Sequence, residues 1–83
     1  MELTDLPNIG PVLADHLRRV GIETPEELRR VGACEAFLRI RTQVDDGACL
    51  HELTALEGAA EGIAKRELPP EKKAELKAFF NSL

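Results

Sequence analysis

Leu6-Pro7-Asn8-Ile9-Gly10-Pro11 runs directly into Val12-Leu13-Ala14-Asp15-His16-Leu17, and this is the most informative stretch of the chain. Its pattern predicts a tight turn with apolar anchors that opens into a helix. Gly10 is expected to take backbone angles that other residues reach only with strain, and Pro11 suits the first helical position, where no N–H is needed. Such a turn leaves backbone N–H groups free beside a helix N-terminus, an arrangement that can hold a phosphate. The alternative, which the balanced flanking charge slightly favours, is a structural turn that sets the angle between helices.

The length and composition predict one soluble globular domain. The chain has 83 residues, of which 43% are hydrophobic and 31% are charged, and it contains three Phe but no Trp or Tyr. These values favour a small aliphatic core over a disordered chain. No apolar run approaches the roughly 20 residues of a membrane span, and the first residues lack the pattern of a signal peptide. We therefore expect a cytoplasmic protein with no membrane partner.

The charge balance argues against a large nucleic-acid interface. The formal net charge is −4. Residues 1–44 hold six Arg against seven acids, and residues 45–83 hold five Lys or Arg against eight acids, so neither half is basic. Free-standing nucleic-acid binders usually carry a basic footprint. Contact with DNA would therefore need a local patch. Six arginines on the predicted helices could form one basic ridge, although solvated helix faces explain such pairs more often: Arg18, Arg19, Arg29, Arg30, Arg39 and Arg41.

Helix signals cover most of the chain and predict an all-α fold of about five short helices. The predicted spans are 11–20, 25–31, 33–41, 49–61 and 70–81, with residues 63–67 as a linker. Thr24-Pro25-Glu26-Glu27 is a strong start signal, because it combines a capping Thr, a Pro at the first helical position and a Glu three residues on. The apolar positions expected to face the core include Val12, Leu13, Leu17 and Val20 in the first helix, Cys49, Leu53 and Leu56 in the fourth, and Leu76, Phe79, Phe80 and Leu83 at the end.

The residues that could carry chemistry form no recognisable catalytic or metal-binding pattern. Cys34 and Cys49 are expected to be free thiols, and with His16 and His51 they lack the paired spacing of a small zinc site. His16 is expected on the polar surface of the first helix. No arrangement meets the geometric needs of an active site. We therefore expect a protein that is not an enzyme and that needs neither cofactor nor metal.

The turn Leu-Pro-x-Ile-Gly-x-x-x-Ala-x-x-Leu resembles the helix-hairpin-helix motif, and the whole chain resembles the C-terminal domain of the TfoX (Sxy) family. The matching segments follow the family's order along nearly the whole chain: Ile9-Gly10-Pro11, Val20-Gly21-Ile22, Thr24 through Leu28, Val31 through Ala36, Leu50 through Ala59, and Leu68 through Leu76. Longer family members carry a separate N-terminal domain. Helix-hairpin-helix proteins usually have Gly where Asn8 stands. Asn tolerates a left-handed conformation, so the turn is expected to form, with the Asn8 side chain crowding an approaching phosphate.

The resemblance implies a regulatory role in competence for DNA transformation, acting with the transcription machinery and, in some bacteria, with an activator of the cAMP receptor type. We interpret the chain as a single domain and a non-enzymatic regulatory module that contacts DNA weakly and without sequence preference. The alternative is a protein–protein adaptor without DNA contact. The candidate DNA-binding residues are Asn8, Ile9, Gly10, Val12, Arg18 and Arg19. The partner and the oligomeric state are not specified by the sequence.

Overall fold

Five α-helices follow one another along the chain, and no β-strand is present in the computed structural model, which describes residues 1–83. The helices are α1 (Pro11–Arg19), α2 (Pro25–Val31), α3 (Ala33–Gln43), α4 (Leu50–Glu61) and α5 (Pro70–Asn81). The predicted all-α class and the five helices are confirmed. None of these helices combines the length and the apolar character that crossing a bilayer requires.

Two single-turn 3-10 helices, Leu3–Asp5 and Lys65–Glu67, are absent from the sequence prediction. In each, the last residue is an acid whose carboxylate accepts a hydrogen bond from the backbone N–H of the residue that precedes the 3-10 helix. Asp5 accepts a hydrogen bond from the Glu2 N–H at 2.8 Å, and Glu67 accepts one from the Ala64 N–H at 3.1 Å. The predicted linker 63–67 is therefore an ordered turn that is closed by its own carboxylate.

The core lies between the helices, with α3 and α4 as its central pair. It consists of 18 buried apolar side chains, which come from all five α-helices and from the segments that flank them: Leu3, Leu6, Ile9, Ala14, Leu17, Val20, Ile22, Leu28, Ala33, Ala36, Phe37, Ile40, Ala48, Leu53, Leu56, Ala59, Leu68 and Leu76. Phe37 is the largest fully buried side chain, and its ring centroid lies 6.0 Å from that of Phe80 on α5. This aromatic contact joins the last helix to the centre of the domain.

Three residues predicted to face the core lie outside it. Val12 is 69% exposed, Leu83 is 49% exposed, and Cys49 is exposed as the residue before α4. Ala14 and Leu17 define the buried face of α1, and Val12 lies about 160° from Ala14 around the helix axis, on the opposite side. The apolar character of Val12 therefore belongs to the surface of the turn.

Leu17 is fully buried on α1, so its truncation should leave a cavity in the core. We expect Leu17→Ala to lower the free energy of unfolding by about 2–5 kcal/mol, which is the usual range for a buried leucine. Val12→Ala on the exposed side of the same helix is the control and should change it by less than about 0.5 kcal/mol. Chemical denaturation followed by circular dichroism measures both. A Leu17→Ala midpoint equal to that of the wild type would contradict the packing of α1.

Candidate nucleic-acid interface

The turn before α1, residues 6–11, owes its shape to Asn8 and not to Gly10. Asn8 has φ 70° and is the one non-glycine residue with positive φ. Gly10 has φ −94° and ψ −177°, an extended conformation that any residue can adopt. The expectation that Gly10 supplies the unusual backbone angles is therefore wrong, whereas the expectation that Asn8 tolerates a left-handed conformation agrees with the observed φ.

The Asn8 side chain points into the protein and joins the turn to α4 and to the segment that follows it. Its Nδ2 donates to the carbonyl oxygen of Ile63 at 3.0 Å and to that of Ala55 at 3.4 Å. Its Oδ1 accepts from the backbone N–H of Lys65 at 3.0 Å. We call this set of hydrogen bonds the Asn8 bridge. Because the side chain is engaged on the inner side of the turn, the expectation that it crowds a phosphate on the outer side is wrong.

Gly58 on α4 makes the Asn8 bridge sterically feasible. A Cβ atom at this position would lie 2.5 Å from Asn8 Nδ2, 2.8 Å from the Ile63 carbonyl oxygen and 3.2 Å from Lys65 Cα. Two of these neighbours are backbone atoms that cannot move aside freely. The glycine in the Leu-Glu-Gly-Ala segment is therefore required by the close approach of the turn and of residues 63–65 to α4.

The outer side of the turn carries backbone donors that have no partner within the protein. The N–H groups of Gly10, Val12 and Leu13 donate to no acceptor within the protein. The Ile9 N–H donates to the Leu6 carbonyl at 3.4 Å and its side chain is buried, so Ile9 supports the turn from within. No acidic residue stands in the first turn of α1, and no atom lies within 4 Å of a Cβ built on Gly10. This surface is open and lies at the N-terminus of α1, which is the positive end of the helix dipole.

Arg18 and Arg19 lie at the opposite end of α1, about 12 Å along the helix axis from Gly10. Arg19 Nε is paired with Asp15 Oδ2 at 2.9 Å, whereas exposed Arg18 has no ion-pair partner. The structure therefore does not bring these two arginines to the turn. The separation also removes the reason for grouping them with Gly10 and Val12.

The predicted ridge of six arginines is only partly a free cationic surface. Arg39 Nε is paired with Glu35 Oε2 at 2.9 Å, and the guanidinium of Arg41 lies over the Phe80 ring at 5.5 Å from its centroid. With Arg19 bound to Asp15, three of the six are engaged with neighbours on the protein. Those with neither an ion-pair partner nor an aromatic contact are Arg18, Arg29 and Arg30, all of them exposed.

A different set of cations lies next to the turn, and the sequence analysis did not identify it. The Asn8 bridge holds the backbone of Lys65 against the turn. Arg66 follows it, and Lys73 Nζ on α5 donates to the Arg66 carbonyl oxygen at 3.3 Å. We call Lys65, Arg66 and Lys73 the basic corner. No pattern in the sequence could indicate it, because 57 residues separate Asn8 from Lys65.

His16 contacts Glu52 between α1 and α4, so the prediction that it lies on the surface is wrong. His16 Nδ1 lies 3.5 Å from Glu52 Oε1, and each side chain is 17% exposed. Burial raises the pKa of Glu52, and the neighbouring His16 opposes that rise. His16 Nδ1 and Glu52 Oε2 have no hydrogen-bond partner. The pair joins the helix that follows the turn to α4, and no group of three or more His, Cys, Asp or Glu residues could hold a metal ion.

Glu57 lies on the side of α4 that faces α5. Its pKa is raised to about 7, chiefly because it shares a hydrogen bond with Glu61 and also because it is partly buried. Lys72 on α5 opposes this rise and is itself paired with Glu75, with Nζ 3.1 Å from Oε2. Burial and the charge of Glu57 raise the pKa of the nearby Cys34 thiol. Both cysteines are free thiols.

Comparisons with known proteins agree over nearly the whole chain. The family profile of the TfoX C-terminal domain matches residues 1–80. The chain is 39% identical over 83 residues to protein Sxy of Escherichia coli K12, and the match covers 98% of this chain but 38% of Sxy. The chain therefore spans well under half of that relative.

Two crystal structures from Listeria monocytogenes have the same fold. One, an uncharacterised protein in a triclinic form, has a TM-score of 0.96 and 51% identity and covers 99% of this chain and 92% of its own. The other, a protein of unknown function in a tetragonal form, has a TM-score of 0.93 and 52% identity and covers 96% of both chains. The high TM-scores and coverages show that this chain and the two Listeria proteins share the same domain over nearly their whole lengths.

The Asn8 bridge should contribute measurably to stability. We expect Asn8→Gly, which keeps the positive φ but removes the hydrogen bonds, to lower the free energy of unfolding by about 2 kcal/mol. Asn8→Ala should lose about 1 kcal/mol more, because alanine is strained at φ 70°. Chemical denaturation measures both, with Asn81→Ala on the exposed end of α5 as the control. Equal stability of Asn8→Gly and the wild type would show that the bridge does not hold the turn.

Glu57 should make stability depend on pH. The folded protein holds this proton more tightly than the unfolded chain, so its contribution is complete below the ordinary pKa of 4.5 and is lost as the pH rises through about 7. Glu57→Gln should therefore stabilise the domain at pH 8, on the order of 1 kcal/mol after solvent screening, with little gain at pH 4. Thermal unfolding across this range measures it, with exposed Glu26→Gln as the control. A constant difference across the range would contradict the assignment.

Proposed function

Because the chain belongs to the TfoX C-terminal domain family, we propose that it is a non-enzymatic regulatory module that contacts the DNA backbone weakly through the turn before α1. The family resemblance supports a role in the regulation of competence for DNA transformation. The observation that carries the proposal is the set of N–H groups at Gly10, Val12 and Leu13, which have no acceptor within the protein and stand at the start of a helix.

The chemistry of this surface suits a phosphate. Backbone N–H groups and the positive end of a helix favour an anion, and the absence of an acid in the first turn leaves that preference unopposed. Gly10 carries no side chain, and the space above it is empty, so a phosphate oxygen can approach the backbone closely. Because backbone donors contact phosphates and not base edges, the binding is expected to be independent of DNA sequence.

The net charge of −4 sets the strength of the contact. Affinity for duplex DNA depends mainly on how many phosphates are neutralised by Lys and Arg. An acidic domain with a small cationic surface is therefore expected to bind weakly and to lose binding as salt is raised. Such a module suits a role beside other DNA-bound proteins better than a role as an independent DNA-binding protein.

The alternative is a protein–protein adaptor, and one observation favours it. Val12 is 69% exposed and follows Pro11 at the tip of the turn, so an apolar side chain stands beside the proposed phosphate site. An exposed apolar residue in this position suits a protein surface as well as it suits DNA. Pull-down from cells with and without nuclease separates the two functions, because an adaptor keeps its partner when DNA is removed.

Gly10→Glu tests the turn directly. The substitution should fold normally, because Gly10 is extended and has open space around it, but it places a negative charge where a phosphate would bind. We expect fluorescence anisotropy with a labelled duplex at low salt to show binding by the wild type and none by Gly10→Glu. Gly10→Gln has similar bulk without the charge and should retain more binding. Gln43→Glu is the control, because it adds the same charge at an exposed position at the end of α3.

Two results would contradict the proposal: one would exclude the DNA contact, and the other would exclude its location at the turn. No binding by the wild type at low salt would leave the adaptor as the function. Equal binding by Gly10→Glu and the wild type would place DNA elsewhere on the domain. Circular dichroism on every variant confirms that the fold is intact before binding is compared.

A further inference from the structure

We propose that the basic corner, Lys65, Arg66 and Lys73, supplies the positive charge by which this domain holds the DNA backbone, with the turn and the corner contacting the same duplex. This inference rests on the proposed DNA contact and extends it to residues outside the turn. It also replaces Arg18 and Arg19 as the expected cationic partners of Gly10 and Val12.

Position is the first argument for the basic corner. The Oδ1 atom of Asn8 accepts from the Lys65 N–H at 3.0 Å, and its Nδ2 donates to the Ile63 carbonyl oxygen at 3.0 Å. Residues 63–65 are thereby fixed beside the turn by hydrogen bonds to a residue of the turn itself. Lys65 and Arg66 leave the backbone from this fixed segment, and both are exposed.

Free charge is the second argument. Neither Lys65 nor Arg66 has a carboxylate within ion-pair distance, in contrast to Arg19 and Arg39. The one acid of this 3-10 turn, Glu67, directs Oε1 to the Ala64 N–H at 3.1 Å. Lys73 Nζ lies 3.3 Å from the Arg66 carbonyl oxygen and brings a third cation from α5 to the same place.

The electrostatics of the whole chain make such a local patch necessary. With a net charge of −4, the domain as a whole repels a polyanion, so attraction must come from cations concentrated at the contact. A duplex presents phosphates in a regular row, which three neighbouring cations and a set of backbone donors can contact together. We therefore take duplex DNA as the occupant of this surface and treat an acidic protein partner as an outcome of the test.

The test compares two triple variants that remove the same charge. Lys65→Gln/Arg66→Gln/Lys73→Gln removes the three charges of the basic corner. Arg18→Gln/Arg29→Gln/Arg30→Gln removes three exposed arginines that lie outside the basic corner and have no ion-pair partner. Glutamine at position 65 keeps the backbone N–H that the Asn8 bridge uses, so the corner variant should fold as the wild type does. Anisotropy of a labelled duplex is measured from about 20 to 200 mM salt.

We expect the wild type to show a log–log salt dependence with a slope near −3, about 0.9 per neutralised phosphate. The corner variant should bind roughly 100-fold more weakly at the lowest salt, with a slope near zero. The arginine variant should stay within about threefold of the wild type and keep its slope. This pattern would support the basic corner as the cationic part of the interface.

The remaining outcomes overturn the inference and separate it from the function on which it rests. If the wild type does not bind the duplex at any salt concentration, both the DNA contact and the basic corner fall, and the adaptor function remains. If the wild type binds and the corner variant binds equally well, the DNA contact stands but the basic corner is wrong. Equal weakening by the two triple variants would also overturn it, since net charge alone would then explain the loss.

Discussion

The Asn8 bridge is the interaction on which the arrangement of the surface depends. One amide side chain donates to the carbonyl oxygens of Ala55 within α4 and of Ile63 after it, and accepts from the N–H of Lys65. These three backbone groups lie 47 to 57 residues from Asn8 in the chain, and polar groups that lose their partners at such a contact are costly. The bridge satisfies them and fixes the turn before α1 in the same step.

Gly58 depends on this bridge, because a Cβ at position 58 would meet Asn8 Nδ2 and the Ile63 carbonyl oxygen. A second contact, the His16–Glu52 pair, lies between α1 and α4, with 3.5 Å between Nδ1 and Oε1 and 17% exposure of each side chain. The bridge and the pair therefore attach the turn and the helix that follows it to α4 at two separate places.

The two sides of the turn have different roles, which explains why an asparagine stands where the helix-hairpin-helix motif, which the turn resembles, usually has glycine. The inner side of the turn is structural and uses the Asn8 side chain, whereas the outer side consists of backbone N–H groups at Gly10, Val12 and Leu13. The side chain therefore does not compete with a ligand for the same space. A small aliphatic core supports this arrangement, with Phe37 and Phe80 joining α5 to α3. The cations nearest the turn come from the 3-10 helix 65–67 and from α5.

Local sequence patterns were enough to predict the all-α class, the five helices and most of the core, because apolar spacing, capping residues and prolines act within a few neighbouring residues. The start of α2 at Pro25 and of α5 at Pro70 is of this kind. Tertiary packing alone sets which side of the turn Asn8 faces, that His16 is half-buried against Glu52, and that Lys65 lies beside Asn8. These features join residues far apart in the chain, and local periodicity contains no information about such contacts. Val12 shows the same limit, since its apolar character predicted burial and the rotation of α1 against its neighbours placed it in solvent.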